Sequence, residues 1–600
     1  MNPYHAPVAE MKFVMNELAG LGEIATLPGF EDATPDTVAA VLDEAAKFAS
    51  EVLDPLNAVG DREGVQLHDD GRVTTPRGFR DAYRQFCELG WNGFAKDPQY
   101  GGGGMPHLVA AAVDEIWNAS NMAFELCPML TSGAIEAIEL NGSEELKKTF
   151  LPKMVAGEWT GTMNLTEPQA GSDLAAVRTK AIRQGDGTYK LHGQKIFITY
   201  GEHDYTDNIV HLALARTPDA PAGVKGISLF VVPKFLLTPD GTPGARNDVR
   251  CVSLEHKLGI HASPTAVLAF GDKAGAVGYL VGEENRGLEY MFVMMNLARF
   301  GVGMQGVGIA DRAYQLARDY ARERVQGRAV GTASDAATAG IVGHPDVRRM
   351  LMTMRSYVEA ARALGYVTAA ALDRAHRHPV AGQRKRDLAF AELMIPIVKG
   401  WSTEIAQRVT YLGVQVHGGM GFIEETGAAQ LMRDARITTI YEGTTGIQAN
   451  DLVGRKVLRD EGKALFAAIA DMREVEQALA QRRTECATVV GARFACGLTA
   501  LEDAARFLIT NARTQPRSVY AGAVPFLELA GIVFGGGQLA RSALAAARKL
   551  DVGDGDFAFL RAKMVTARHF ADHCLIQAAS LRDIIVSGAD SVLALGEDDF

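Results

Sequence analysis

The chain is 600 residues long, more than one hydrophobic core accommodates, so several domains are expected. Its 47% hydrophobic and 22% charged residues suit a globular protein, and a formal net charge of −11 argues against a main task of nucleic-acid binding, which needs a concentrated basic face. The six cysteines (Cys87, Cys127, Cys251, Cys486, Cys496 and Cys574) form no CxxC pair and have no His at ligand spacing, so neither a disulfide framework nor a metal is expected.

The first residues show no basic n-region or apolar h-region, and Glu10 and Glu17 come early, which predicts a cytoplasmic protein without a secretory signal. Thr34-Pro35-Asp36 supplies a capping hydroxyl and a proline at the first helical position; Val38, Val41, Leu42, Ala45, Phe48 and Val52 then recur at helical spacing. Helix-period segments continue to about residue 160. Gly101 to Gly104 lack the Lys-Ser/Thr of a phosphate-binding loop and read as a connection, and no strand-GxGxxG-helix unit marks a dinucleotide site.

From Val177 the pattern changes. Thr188 to Leu191, Lys195 to Ile198, Ile209 to Leu212 and Ile227 to Val232 are short β-rich runs separated by Gly, Asp and Pro, hence a small β-domain. Gly287 to Arg324 then reads as one proline-free helix, roughly 55 Å long. Met291, Met294, Met295 and Met304 on it read first as core filling and second as the lining of an acyl pocket. Two more long helices follow, meeting near Pro379 with basic residues from Arg374 to Arg386, and Pro396 is expected to kink the second. Ala521 to Ala540, the most apolar stretch, contains Pro525, Glu528 and Gly535 to Gly537, which suits a buried helix with close packing and a break better than a membrane span. The tail reads as four amphipathic segments broken near Arg482, Thr514 to Pro516 and Asp551 to Asp556. The expected domains are an extension (1–34), a helical domain (35–160), a β-domain (161–285), a second helical domain (286–458) and a helical bundle (459–600).

Three motifs carry chemistry. Ile440-Tyr441-Glu442-Gly443-Thr444-Thr445, preceded by Gln415-Val416-His417-Gly418-Gly419-Met420-Gly421-Phe422 and Leu431-Met432-Arg433-Asp434-Ala435, places a carboxylate on a turn inside a helical domain. Leu165-Thr166-Glu167-Pro168-Gln169-Ala170-Gly171-Ser172-Asp173, followed by Gly193-Gln194-Lys195-Ile196-Phe197-Ile198-Thr199, offers hydroxyls and accessible backbone N–H groups to an anionic or carbonyl-bearing ligand. Asn296-Leu297-Ala298-Arg299-Phe300 and Ala321 to Arg328 put Arg324 near a helix end, where a guanidinium suits phosphate.

Together these motifs resemble those of the flavin-dependent acyl-CoA dehydrogenase family over about residues 35 to 455. The opening and the tail resemble a larger bacterial branch that handles fatty acyl-CoA and methylthio-acyl-CoA thioesters. The resemblance implies a mainly α fold with a central β-domain and an appended C-terminal helical bundle. It also implies FAD, an acyl-CoA substrate, electron-transfer flavoprotein as acceptor, and a place in fatty acid metabolism and β-oxidation. Glu442 is the implied base. Met163, Leu165, Thr166, Ser172, Phe197, Thr199, Arg324, Gln415, Gly419 and Thr444 are the implied FAD positions, with Gln415 and Gly419 contributing across a dimer. Ser172, Asn296, Arg299, Tyr441 and Gly443 are implied to bind substrate.

The chain departs from the family pattern at four places. It lacks an aromatic residue between Gln326 and Gly327, has Phe197 for a frequent Trp and Gly446 for a frequent Gln, and has Ala298 where some relatives carry the base. Burial against acyl chain and flavin would raise a glutamate pKa from about 4.3 and strengthen it as a base. The alternatives are an acyl-CoA oxidase, a nitroalkane-oxidase-like enzyme, which would need Asp at Glu442, and a non-catalytic DNA-binding flavoprotein, against which the acidic residues interspersed in the tail argue. A homodimer is expected, with no nucleic-acid partner and no stable membrane insertion.

Overall fold

The computed structural model describes residues 2–331 and 339–600. The Thr34 hydroxyl accepts the Thr37 N–H at 3.2 Å and starts α1 (Pro35–Phe48) where capping chemistry predicts it. After two ten-residue helices (Asp54–Glu63 and Phe79–Glu88) come α2 (His107–Asn141) and α3 (Glu144–Val155). Within α2 the backbone leaves helical geometry at Asn121 (φ −158°, ψ 84°). Its Oδ1 accepts the Phe124 N–H at 3.1 Å and its Nδ2 donates to the Leu53 carbonyl at 3.2 Å, so it acts as an internal cap.

Eight strands make the β-domain's main sheet: β1 (Trp159–Asn164), β2 (Lys180–Arg183), β3 (Tyr189–Thr199), β4 (Asn208–Ala215), β5 (Ser228–Pro233), β6 (Val249–Leu254), β7 (Thr265–Phe270) and β8 (Ala276–Val281). Their order is β6-β7-β3-β8-β5-β4-β1, with β2 on β3; only β1 and β4 run parallel. The two runs expected at 188–191 and 195–198 are one strand. Gly193, read as a separator, instead lets the strand approach Thr179, where an added Cβ would stand 2.4 Å from the Thr179 hydroxyl.

The long helices are α4 (Gly287–Glu323), α5 (Pro345–Arg377), α6 (Ala381–His417) and the short α7 (Thr445–Asp451). Helix α6 runs unbroken through Pro396, whose missing N–H leaves the Glu392 carbonyl without its helical donor. The tail contributes α8 (Lys463–Gln481), α9 (Glu485–Asn511), α10 (Ala523–Val552), α11 (Phe557–His573) and α12 (Ala578–Ser587), so the expected fourth segment is divided at residues 574–577. The stretch is broken at Gly522, between a short helix (Pro516–Ala521) and α10, and α10 then runs unbroken through Gly535 to Gly537. Trp401 packs across Gly531 and Gly535, where a Cβ would come within 2.2 and 2.3 Å of its ring, so these glycines serve close packing of α10 on α6. Helix α10 is long and apolar enough to pass as a membrane span, yet 83% of its apolar window is buried within the protein.

The chain forms two compact units, one from Met1–Lys47, Pro106–Ala119 and Arg299–Phe600, the other from Phe48–Met105 and Ser120–Ala298. In the first, the N-terminal segment is built into the core, which its sequence did not announce. Tyr4 is fully buried, Glu10 and Glu359 share the buried Lys563 ammonium, and Arg541 donates to the Leu18 carbonyl at 2.7 Å. Met304 packs on Gly365 there, while Met291 and Met294 are core residues of the second unit. All three serve the first reading, core filling.

Candidate active site

Between the helix ending at Ala435 and α7, the chain turns sharply at Glu442 (φ +55°) and Gly443 (φ +90°). A left-handed glutamate is strained, and such strain persists only where surrounding structure fixes it. Here the fixing groups are visible. The buried Gln448 donates to the carbonyls of Glu442 (3.0 Å) and Gly443 (3.2 Å), and Lys399 of α6 donates to the Gly443 carbonyl at 2.6 Å. Upstream, the Tyr441 hydroxyl donates to Gln305 of α4. Downstream, the Thr444 hydroxyl accepts the Ile447 N–H at 3.3 Å and caps α7, while Thr445 donates to Glu404 at 2.6 Å. Gly443 is needed for its φ and because a Cβ would stand 2.8 Å from the Gln448 amide.

The Glu442 carboxylate accepts no hydrogen bond among the described residues, and burial pushes its pKa up to about 7, against the opposing pull of Arg299 and Lys399. Lys399, fully buried, is pushed down to about 8 by burial, with Glu442 opposing. Arg299, only 5% exposed, has its pKa lowered by burial and finds Asp451 at 3.5 Å, a loose contact; its Nε is buried without a hydrogen-bond partner. A widened helical turn, Leu452–Leu458, follows α7 at Asp451, a distortion common near functional sites. The result is a carboxylate that is half ionised near neutrality, unencumbered, and anchored through its backbone, as a general base requires.

In the β-domain, the loop after β1 is organised by Glu167. Its carboxylate pairs with Lys195 at 2.8 Å and accepts the Thr179 hydroxyl (2.6 Å) and the backbone N–H groups of Arg178 (2.7 Å) and Thr179 (3.1 Å). Lys195 also donates to the Leu165 carbonyl at 3.1 Å. Leu165 and Thr166 are thereby held half-buried, while Ser172 is exposed at the loop's far end. The Thr166 carbonyl accepts the Ile196 N–H at 2.9 Å, and the β3–β7 register shifts at this place. This bulge re-aims the strand: Phe197 takes φ +60° and leaves its ring 58% exposed, with Thr199 half-buried two residues on. Met163, half-buried on β1, packs against the unit's core, and Asn296 is half-buried on α4.

The other expected positions lie apart from the Glu442 turn in character. Arg324 is exposed just past the end of α4, where its backbone carbonyl accepts the Ile341 N–H at 2.7 Å. Gln415 and Gly419 are exposed, and an added Cβ at Gly419 would meet open space. Arg299, expected among the substrate contacts, sits in the electrostatic surroundings of Glu442. Sequence reasoning missed Lys399, Gln448, Gln305 and the Glu167–Lys195 pair. Lys399 did carry a signal: it is a lone cation ending the apolar run Leu393 to Val398.

The β-domain thus lies between helical stretches in chain order, and the helical part after it carries an unpaired carboxylate, raised towards neutrality, on a strained turn. The chain belongs to the acyl-CoA dehydrogenase family: residues 35–158, 162–272 and 285–457 match its N-terminal, middle and C-terminal domains, and 465–596 match the domain described as acetyl-CoA dehydrogenase C-terminal like. It is an acyl-CoA dehydrogenase. The 3-methylmercaptopropionyl-CoA dehydrogenase of Ruegeria pomeroyi is 50% identical over 597 residues, 98% of this chain and 99% of that one. The broad-specificity linear acyl-CoA dehydrogenase of Mycobacterium tuberculosis is 35% identical over 615 residues, covering 100% of both. The acyl-CoA dehydrogenase of Bacillus anthracis, solved complexed with FAD, shares the fold at TM-score 0.72 and 21% identity, over 98% of this chain and 93% of that one.

Proposed function

We propose that this enzyme removes the α proton of an acyl-CoA thioester with Glu442 and yields a trans-2-enoyl-CoA. The observation that carries this reading is the Glu442 carboxylate: no hydrogen-bond partner among the described residues, a pKa of about 7, and a backbone held left-handed by Gln448 and Lys399. Ionised, it is basic enough to accept a carbon-bound proton; the nearby Arg299 and Lys399 cations keep a useful fraction ionised at neutral pH.

The donor set fits FAD. Phe197 offers an exposed aromatic face, and Thr166, Ser172 and Thr199 offer neutral hydroxyls suited to the polar edge of a flavin, with Met163 and Leu165 beside them in sequence. Arg324, exposed and cationic, suits the pyrophosphate, and the open backbone at Gly419 and the Gln415 amide suit the nucleotide of a partner subunit. The Thr444 hydroxyl already caps α7, so a phosphate contact there would add to the capping bond. When bound, FAD supplies a hydride acceptor for the β hydrogen. Ser172, Asn296, Tyr441 and Gly443 complete the substrate side of this reading, electron-transfer flavoprotein is the electron acceptor, and the enzyme works in the cytoplasm as a homodimer in β-oxidation.

The half-identical relative is named for 3-methylmercaptopropionyl-CoA, which makes that thioester the first substrate to test. The experiment is anaerobic flavin reduction with it and with straight-chain thioesters from butyryl-CoA to stearoyl-CoA, with and without purified electron-transfer flavoprotein. Bleaching followed by turnover only with the flavoprotein supports the reading; rapid peroxide formation in air points to an oxidase.

A further inference from the structure

Lys399 is an expensive residue to place where it stands. Its ammonium is fully buried on α6 and has three N–H donors, yet among the described residues it makes one hydrogen bond, to the Gly443 carbonyl at 2.6 Å. A buried cation with so few acceptors costs stability that an apolar side chain of the same length would not. The flanking residues Ile395, Ile397, Val398 and Trp401 are buried and apolar, so packing alone asks for no charge here. What the ammonium does hold is the strained turn, whose other backbone clamp, Gln448, is neutral.

We propose that Lys399 is a positioning residue for the proton transfer: its tether to Gly443 fixes the direction of the Glu442 carboxylate, and its charge sets that carboxylate's basicity. The proposal rests on Glu442 being the base. The groups around that carboxylate are few. Helix α4 contributes Arg299, α6 contributes Lys399 and the exposed Glu404, and α7 with its continuation contributes Asp451 and Arg455. Tyr441, next in sequence, keeps its proton because burial raises its pKa. Arg299 shares its charge with Asp451, whereas no carboxylate makes an ion pair with Lys399 among the described residues. Removing the Lys399 charge therefore raises the Glu442 pKa, and removing the tether loosens the turn.

The test uses the full-length FAD-loaded enzyme and the thioester that reduces the wild type fastest. Rapid-reaction flavin reduction is measured across pH for Lys399→Met, Lys399→Gln and Lys399→Arg, beside Glu442→Gln. Lys399→Met should retain flavin, lower the limiting reduction rate by about 30-fold with half-saturation changed less than about threefold, and move the pH inflection upward by about one unit. Lys399→Gln keeps a donor for Gly443 without the charge, so its inflection should move equally while its rate loss is smaller. Lys399→Arg should keep the inflection near that of the wild type. Should Lys399→Met fail to fold, the Gln and Arg pair makes the same comparison. An unmoved inflection in both neutral variants, or an equal shift in Lys399→Arg, overturns the proposal and leaves the base assignment standing. An active Glu442→Gln overturns the base assignment, and this proposal with it.

Discussion

Lys195 Nζ lies 2.8 Å from Glu167 Oε1 with both side chains out of water, and the pair ties β3 to the loop carrying Thr166 and Ser172. Glu167 is held down at about 2, where burial is outweighed by Lys195 and by hydrogen bonds, while burial pushes Lys195 down to about 8. The two shifts pull in opposite directions. The lowered Glu167 pKa contributes stability above its unfolded value of 4.5 that is lost as pH falls towards 2, whereas the lowered Lys195 pKa marks a burial cost present at neutral pH. Glu167→Gln leaves a buried cation uncompensated and should destabilise the β-domain by about 3–5 kcal/mol, with weaker FAD retention, whereas Glu167→Gln/Lys195→Met should recover most of that loss. Denaturant unfolding of both variants checks it; equal stabilities would contradict the account.

Activity should follow Glu442. Below a pH of about 7 the carboxyl carries a proton and accepts none, so kcat/KM should fall with unit slope on the acid side and level off above. Steady-state assays with a dye acceptor over the stable pH range test this. A profile flat through neutrality would remove the argument from burial.

Arg324→Ala should lower FAD retention, since a guanidinium that pairs with no described carboxylate is free for pyrophosphate. If it serves a partner's flavin, flavin retention should depend on dimerisation, with monomers holding little flavin, as read from absorbance per subunit. A stable monomer with stoichiometric FAD would contradict that sharing.

Packing of α10 on α6 depends on two missing side chains. Gly535→Val would drive a branched side chain into the Trp401 ring and should cost at least about 1–3 kcal/mol. The tail packs within the same unit as α5 and α6, so its apolar faces are covered inside the subunit and call for no further interface between dimers. Light scattering of the wild type should therefore return about twice 64.3 kDa, and a mass near four times that value would contradict it.

The sequence made the long elements and the carboxylate turn legible because their signals are local: a hydroxyl and proline at Thr34-Pro35, short β-rich runs separated by Gly, Asp and Pro in the β-domain, and a Tyr-Glu-Gly motif between helices. What it hid depends on distance along the chain. Lys399 meets Gly443 across 44 residues, Lys195 meets Glu167 across 28, and Lys563 meets Glu10 across 553. No local pattern encodes such pairings, and a lone lysine in an apolar run is ambiguous until its partner is seen. Gly193 misled for a related reason: a glycine read as a separator served close approach at Thr179, whereas the close packing expected at Gly535 is met by Trp401.

Whether Glu442 takes the α proton is read from exchange of that proton with solvent. Wild type and Glu442→Gln, each with FAD bound, are incubated anaerobically in deuterium oxide with 3-methylmercaptopropionyl-CoA, and isotope entry at the α carbon is followed by mass spectrometry alongside flavin bleaching. Glu442→Gln should retain flavin and thioester affinity while exchange and bleaching both fall by at least about a thousandfold, because the substitution preserves shape and removes basicity. Exchange within threefold of wild type in a flavin-loaded Glu442→Gln enzyme would contradict it.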